Sequence, residues 1–189
     1  MAEVRKKAAA RLASRDSVDR ELAAWLAELP GIDPLVEAVR MRLLRLGRQL
    51  ERSLAETARA HGMTLGDWET LSILCRSGRP YQLSPGRLAR SLGVTAGTMS
   101  VRIERLVRAG LVKPAASGDD ARGRPVRLTA AGHRVWRRAT DARTRLEAAL
   151  IGETLGPNAL HTLNALLRRL MVRFEARFGA PPLRGELER

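Results

Sequence analysis

Apolar residues recur at spacings of three and four along most of this chain, and nearly every run is closed by glycine or proline. Val18, Leu22, Trp25, Leu26 and Leu29 share one face of a segment over 17–29, which "ELPGIDP" breaks. Asp33 then stands as an N-cap, with Pro34 at the first helical position. The long helix it opens carries Leu35, Val39, Leu43, Leu46, Leu50 and Leu54 and closes near Gly62. Thr64 and Asp67 have the spacing of a capping box, with Asp for the usual Glu. They predict a short helix with Trp68, Leu71, Leu74 and Cys75 that Gly78 stops. Ser84-Pro85 opens the next, with Leu88, Ala89 and Leu92, and Gly93 ends it. Thr95 caps another, with Met99, Ile103, Leu106 and Val107, stopped by Gly110.

The period then changes. "LVK" (111–113) and "VRL" (126–128) have the length of two strands, and most of "GDDARGRPVRLT" (118–129) lies between them. Thr129 caps a further helix with Val135, Ala139, Ala142, Leu146 and Leu150. Pro157 restarts the chain into a last one with Leu160, Leu163, Leu167, Leu170, Phe174 and Phe178. The expected organisation is a basic, disordered arm over 1–15, N-terminal helices over 16–62, a compact module over 63–129, C-terminal helices over 130–178 and a disordered tail over 179–189.

Charge sharpens this picture. Of a formal net charge of +14, the stretch 79–138 holds +10, from 13 Lys+Arg against 3 Asp+Glu. Such local excess attracts polyanions. The single cysteine, Cys75, excludes an internal disulfide and suits a reducing compartment. No run of 18 apolar residues exists to span a membrane, and the basic start lacks a secretory apolar core, so the reading is cytoplasmic with no membrane partner.

Two short helices joined at Gly93, followed by a hairpin with a basic tip, make a winged helix-turn-helix. The fold class is mainly α with a small β-hairpin, a winged helix-turn-helix flanked by long N- and C-terminal dimerisation helices. On a helical wheel, Met99, Ile103 and Leu106 of the second helix face inward. The outer face carries Gly97, Thr98, Val101, Glu104, Arg105 and Arg108, with Thr95 and Ala96 at the exposed N-terminus. Small residues permit close approach to bases, Thr98 and Val101 suit thymine methyls, and Arg105 and Arg108 suit phosphates. Arg122 and Arg124 of the loop suit the adjacent minor groove or backbone, with Asp120 orienting Arg122. Arg102 points beside the buried stripe and does not fit a DNA contact.

"RLARSLGVTAGTMSVRIERLVRAGLV" followed by "DDARGRPVRLTAAG" resembles the MarR family of bacterial transcription regulators. The Asp-x-Arg wing (Asp120, Arg122) and the Leu-Thr-x-x-Gly start of the next helix (Leu128, Thr129, Gly132) match, over about residues 34–178. The resemblance implies a homodimer with interleaved terminal helices. It also implies a palindromic operator in double-stranded DNA, usually bound to repress and released when a small ligand binds. The stripes on the 34–61 and 157–178 helices are longer than one small domain can cover, which points independently to a partner, with packing on each other as the alternative.

"GRPYQLSPGRLARSLGVTAGTMSVRIERL", with a helix added ahead of residue 34, resembles the urate-responsive branch. That likeness implies a ligand held by Trp25, an acidic residue at Glu69 where Asp is usual, and Arg102. The second arginine of the branch falls on Pro114, with Lys113 beside it. One charge-assisted contact, commonly ~1.5–3 kcal/mol, is then lost unless Lys113 supplies it. The implied effector is a small anionic or aromatic molecule. Trp25 as plain core and Glu69–Arg102 as a structural ion pair remain open.

Three other readings compete. Cys75 could carry a peroxide switch, although its place near Leu71 and Leu74 suggests an inert thiol. Charge alone would serve a non-specific, nucleoid-type DNA binder. An enzyme is disfavoured: His61, His133 and His161 are far apart, and HExxH, GxSxG and P-loop spacings are missing. No cofactor or metal is expected.

Overall fold

The computed structural model describes residues 15–115 and 124–181. The chain divides into two compact units, 1–53 and 54–189.

In the first unit, α1 spans Ser17–Glu28 and α2 begins at Pro34, extending to Ala60. Asp16 caps α1 by accepting from the Val18 and Asp19 amides, and the Asp19 carboxylate reciprocates on the Asp16 amide. Asp33 caps α2 in the same way, accepting from Leu35 N at 2.8 Å and Val36 N at 3.0 Å. Arg42 of α2 donates to Asp16 and Asp19, and Arg45 donates to Ser17 and Glu21. The Arg42 guanidinium, with the Asp19 and Val18 amides, holds the Asp16 carboxyl down at about 2. The unit's buried core is small: Val18, Ala38 and Met41, with Leu22 against them. The α2 stripe foreseen from spacing lies on a different face, and its members up to Leu50 are exposed, Leu35 at 73% and Leu46 at 60%.

The second unit holds the end of α2, then α3 (Leu65–Arg76), β1 (Gln82–Leu83), α4 (Pro85–Leu92) and α5 (Ala96–Arg108). β2 (Val112–Pro114), β3 (Val126–Leu128), α6 (Ala130–Glu147), a π-helical segment (Ala148–Glu153) and α7 (Thr154–Phe178) complete it. Within α7 the backbone leaves helical geometry at Gly156. The hairpin expected from sequence is present, and β1 adds a third strand: the antiparallel order is β1-β3-β2, with Gln82 and Lys113 on either side of Arg127. β1 has only two residues, too short to show an alternation. Pro114 lies on edge strand β2, where a missing N–H is tolerated.

One core unites the helices and the sheet. Leu71 and Leu74 of α3, Leu88 of α4, Met99 and Leu106 of α5, Val112, Val126 and Leu128 of the sheet and Ala139 of α6 are all buried. Trp68 and Trp136 tie α3 to α6 through Nε1 donations to Thr140 at 3.1 Å and Ser72 at 2.8 Å. Arg143 of α6 lies over the Trp68 ring at 5.1 Å.

The Leu-Thr-x-x-Gly start of α6 has a packing reason. Leu128 is core; Thr129 caps the helix by accepting from Gly132 N at 2.9 Å and donates toward the Gly110 and Leu111 carbonyls. A side chain at residue 132 would overlap the Leu111 carbonyl. Glycine at 132 therefore lets α6 press against the strand that carries the hairpin. The expected arm, most of the tail, Asp120 and Arg122 lie outside the described residues.

Candidate nucleic-acid interface

α5 sits on α3 and α4 through Met99 and Leu106, both essentially fully buried, and presents its other side outward. Thr95 caps it by accepting from Thr98 N at 3.1 Å. Thr95, Ala96, Gly97, Thr98, Val101, Glu104, Arg105 and Arg108 are all exposed, the outward set that the wheel predicts. Val101 is 60% exposed and sets an aliphatic side chain in the middle of that outward face.

The arginines divide by role. Arg105 reaches back to α3: its Nη2 donates to Asp67 Oδ1 at 2.7 Å and to Thr64 Oγ1 at 3.1 Å, while Nε donates to both Asp67 oxygens. Asp67 is buried and also accepts from the Thr64 amide and hydroxyl, so one carboxylate closes the α3 cap and anchors α5. Expected at a phosphate, Arg105 is also a brace, with its side chain still 46% exposed. This pairing was missed because 38 residues separate the partners. Arg108 lies exposed near the end of α5, and Arg124 is exposed at the foot of the hairpin loop. Arg127 donates from Nε and Nη2 to Gln82 Oε1 and so ties β3 to β1.

The residues expected to hold an effector are only partly assembled. Glu69 and Arg102 meet, Nη1 to Oε2, at 4.0 Å, with Arg102 14% exposed. Arg102 also donates to Thr70 Oγ1 at 3.4 Å. Its guanidinium fills the space that a side chain at Gly66 would take. Lys113 is exposed on edge strand β2. Trp25 belongs to the other unit, with 44% of its surface exposed, which does not make it plain core.

Cys75 is partly buried on α3, and burial pushes its thiol up to about 11. His133 stacks with Tyr81 at 5.7 Å and lies against Trp136. Among the described residues no cluster of three or more His, Cys, Asp or Glu is placed to hold a metal, and no helix is long and apolar enough to cross a membrane.

A braced helix-turn-helix with a cationic outer face, followed by a β-hairpin, defines a winged helix protein of the DNA-binding class. The MarR family profile matches residues 61–123. The chain is 32% identical over 133 residues to the transcriptional activatory protein BadR of Rhodopseudomonas palustris, covering 68% of this chain and 74% of that protein. It is 25% identical to the HTH-type transcriptional regulator PecS of Dickeya dadantii, covering 77% and 87%. The structure of Rv1404 from Mycobacterium tuberculosis matches at 28% identity and a TM-score of 0.61, over 71% of this chain and 91% of that one. A mutant of Escherichia coli MarR complexed with operator DNA shares the fold at 22% identity and a TM-score of 0.55, over 69% and 91%. The chain belongs to the MarR family. It is a transcriptional regulator and not an enzyme.

Proposed function

We propose that the protein binds a pseudo-palindromic operator as a homodimer, represses from it, and leaves it when a small anionic or aromatic effector binds. The observation that carries this reading is the outer face of α5, small at its start and cationic at its end, on a helix fixed to a rigid core. Arg108 and Arg124 reach for phosphates, with Arg122 and its orienting Asp120 proposed at the neighbouring groove. The dimer reading is supported by apolar side chains left in solvent on α7, Phe174 at 60% and Phe178 at 72%, and on α2. The operator complex of the E. coli relative supports the DNA reading.

The effector acts at Glu69 and Arg102. An anion that draws the Arg102 guanidinium away from Glu69 breaks this ion pair and shifts the contact between α3 and α5. Lys113 is a further contact, tested by its own variant.

The test is binding to the promoter DNA of its own and adjacent genes against random duplex, with salt varied and urate or related anions then added. Preference of ~10³-fold or more, abolished by a small anion and restored in Arg102→Ala, is the expected result. Equal, purely salt-dependent binding to both duplexes would instead establish a non-specific binder drawn by the +14 charge.

A further inference from the structure

We infer that α5 reads its half-site chiefly through methyl groups, so that thymines at the centre of each half-site are the specificity determinant. This rests on the DNA-binding reading above and names what that face recognises.

The N-terminal half of a recognition helix is the part that touches base edges. Here it offers Ala96, Gly97, Thr98, Ser100 and Val101 outward. The stretch contains no amide, guanidinium or carboxylate, the groups that make bidentate contacts to guanine, adenine or cytosine. Each of its hydroxyls makes a hydrogen bond within the protein. Thr98 Oγ1 and Thr95 Oγ1 share a hydrogen bond at 2.9 Å, and Ser100 Oγ donates to the Ala96 carbonyl at 3.0 Å. With those oxygens bonded within the protein, the methyls of Ala96, Thr98 and Val101 make the apolar part of this exposed surface. Glu104, the first acid on this face, comes nearly a turn beyond Val101, and Arg105 is anchored on Asp67.

Gly97 adds an independent observation. It stands on the outward face of the first turn, where glycine weakens a helix. A Cβ there would meet only Thr95 Oγ1, at 3.9 Å, so nothing inside the protein requires glycine at this position. The space it leaves is external and lies beside Val101. A flat apolar patch of this kind fits the C5-methyl of thymine, the one apolar feature in the major groove.

The experiment selects duplexes from a random pool with the full-length protein and measures affinity with each thymine replaced by deoxyuridine. The expected result is an enriched sequence with thymine at the half-site centres. There, removal of a methyl weakens binding about fourfold, the transfer value of one buried CH₂. Thr98→Val, which keeps the methyl and drops the hydroxyl, retains affinity; Thr98→Ser and Val101→Ala bind more weakly and lose the thymine–uracil difference. Enrichment with indifference to uracil, or Thr98→Ser binding as well as the parent while Thr98→Val fails, overturns methyl readout and leaves the regulator reading standing. A pool with no enriched sequence removes both.

Discussion

Arg105 and Asp67 form a forked ion pair across α5 and α3, closed by an Nη2–Oδ1 contact of 2.7 Å with the carboxylate buried. The pair joins a helix cap to the DNA-facing helix, so its loss acts on stability and on aim together. Asp67→Ala is expected to destabilise the fold by about 2 kcal/mol, below the 3–5 kcal/mol of a fully buried pair because the Arg105 side chain is 46% exposed. Urea unfolding checks the stability. Operator affinity should fall more in Asp67→Ala than in Arg105→Lys, which keeps a cation near the carboxylate. Equal stability in parent and Asp67→Ala would refute the brace.

Gly97→Ala separates folding from recognition. The added methyl meets open space, and replacing a helical glycine raises stability by about 0.5 kcal/mol. The same methyl holds the backbone away from the groove, so operator affinity should drop by roughly tenfold. A melting temperature that rises while affinity falls is the expected pair of results.

Gly132→Ala should show the opposite kind of glycine. Overlap with the Leu111 carbonyl forces α6 off the hairpin, a loss of about 1–3 kcal/mol by overpacking. Thermal denaturation measures it; a variant as stable as the parent would mean that α6 and Leu111, just ahead of β2, are not held in this contact.

Cys75 predicts a pH dependence with a definite sign. Its folded thiol lies near 11 against an ordinary 9.0, because burial disfavours the thiolate. Stability from this group is complete below about 9 and is lost as pH rises through about 11. Cys75→Ser removes that slope. At neutral pH alkylation of the native protein is slow, and peroxide leaves DNA binding unchanged. A peroxide effect that disappears in Cys75→Ser would restore the redox alternative.

Phe174→Asp tests the assembly. The ring is 60% exposed in the single chain, so the substitution leaves the winged domain folded. Sedimentation should show monomers where the parent gives dimers, with a loss of operator affinity at concentrations where the parent is fully bound.

Much of this architecture could be read along the chain because its signals are local. Ser84, Thr95 and Thr129 each accept the amide three residues on, and the apolar spacing of α5 sorted Met99 and Leu106 from Val101 correctly. What escaped was either too short or too distant. β1 is made only by pairing with β3, and its two residues have no period of their own. The Arg105–Asp67 brace depends on α3 and α5 meeting in space. The π-helical turn at Ala148–Glu153 runs into the stretch between Leu150 and Pro157 where two helices were expected to part, and no residue pattern marks it off from α-helix. The stripe of α2 is legible, yet the buried residues Ala38 and Met41 hold α1 on another face.

The Arg102 guanidinium occupies the room left by the missing side chain of Gly66. The two positions therefore make a single steric unit, although 35 residues lie between them in the sequence. Any larger residue at 66 evicts the arginine, and loss of the arginine opens a gap that a larger residue at 66 can fill. A larger residue at 66 is accommodated only where the guanidinium swings aside, so across related sequences the two positions should covary.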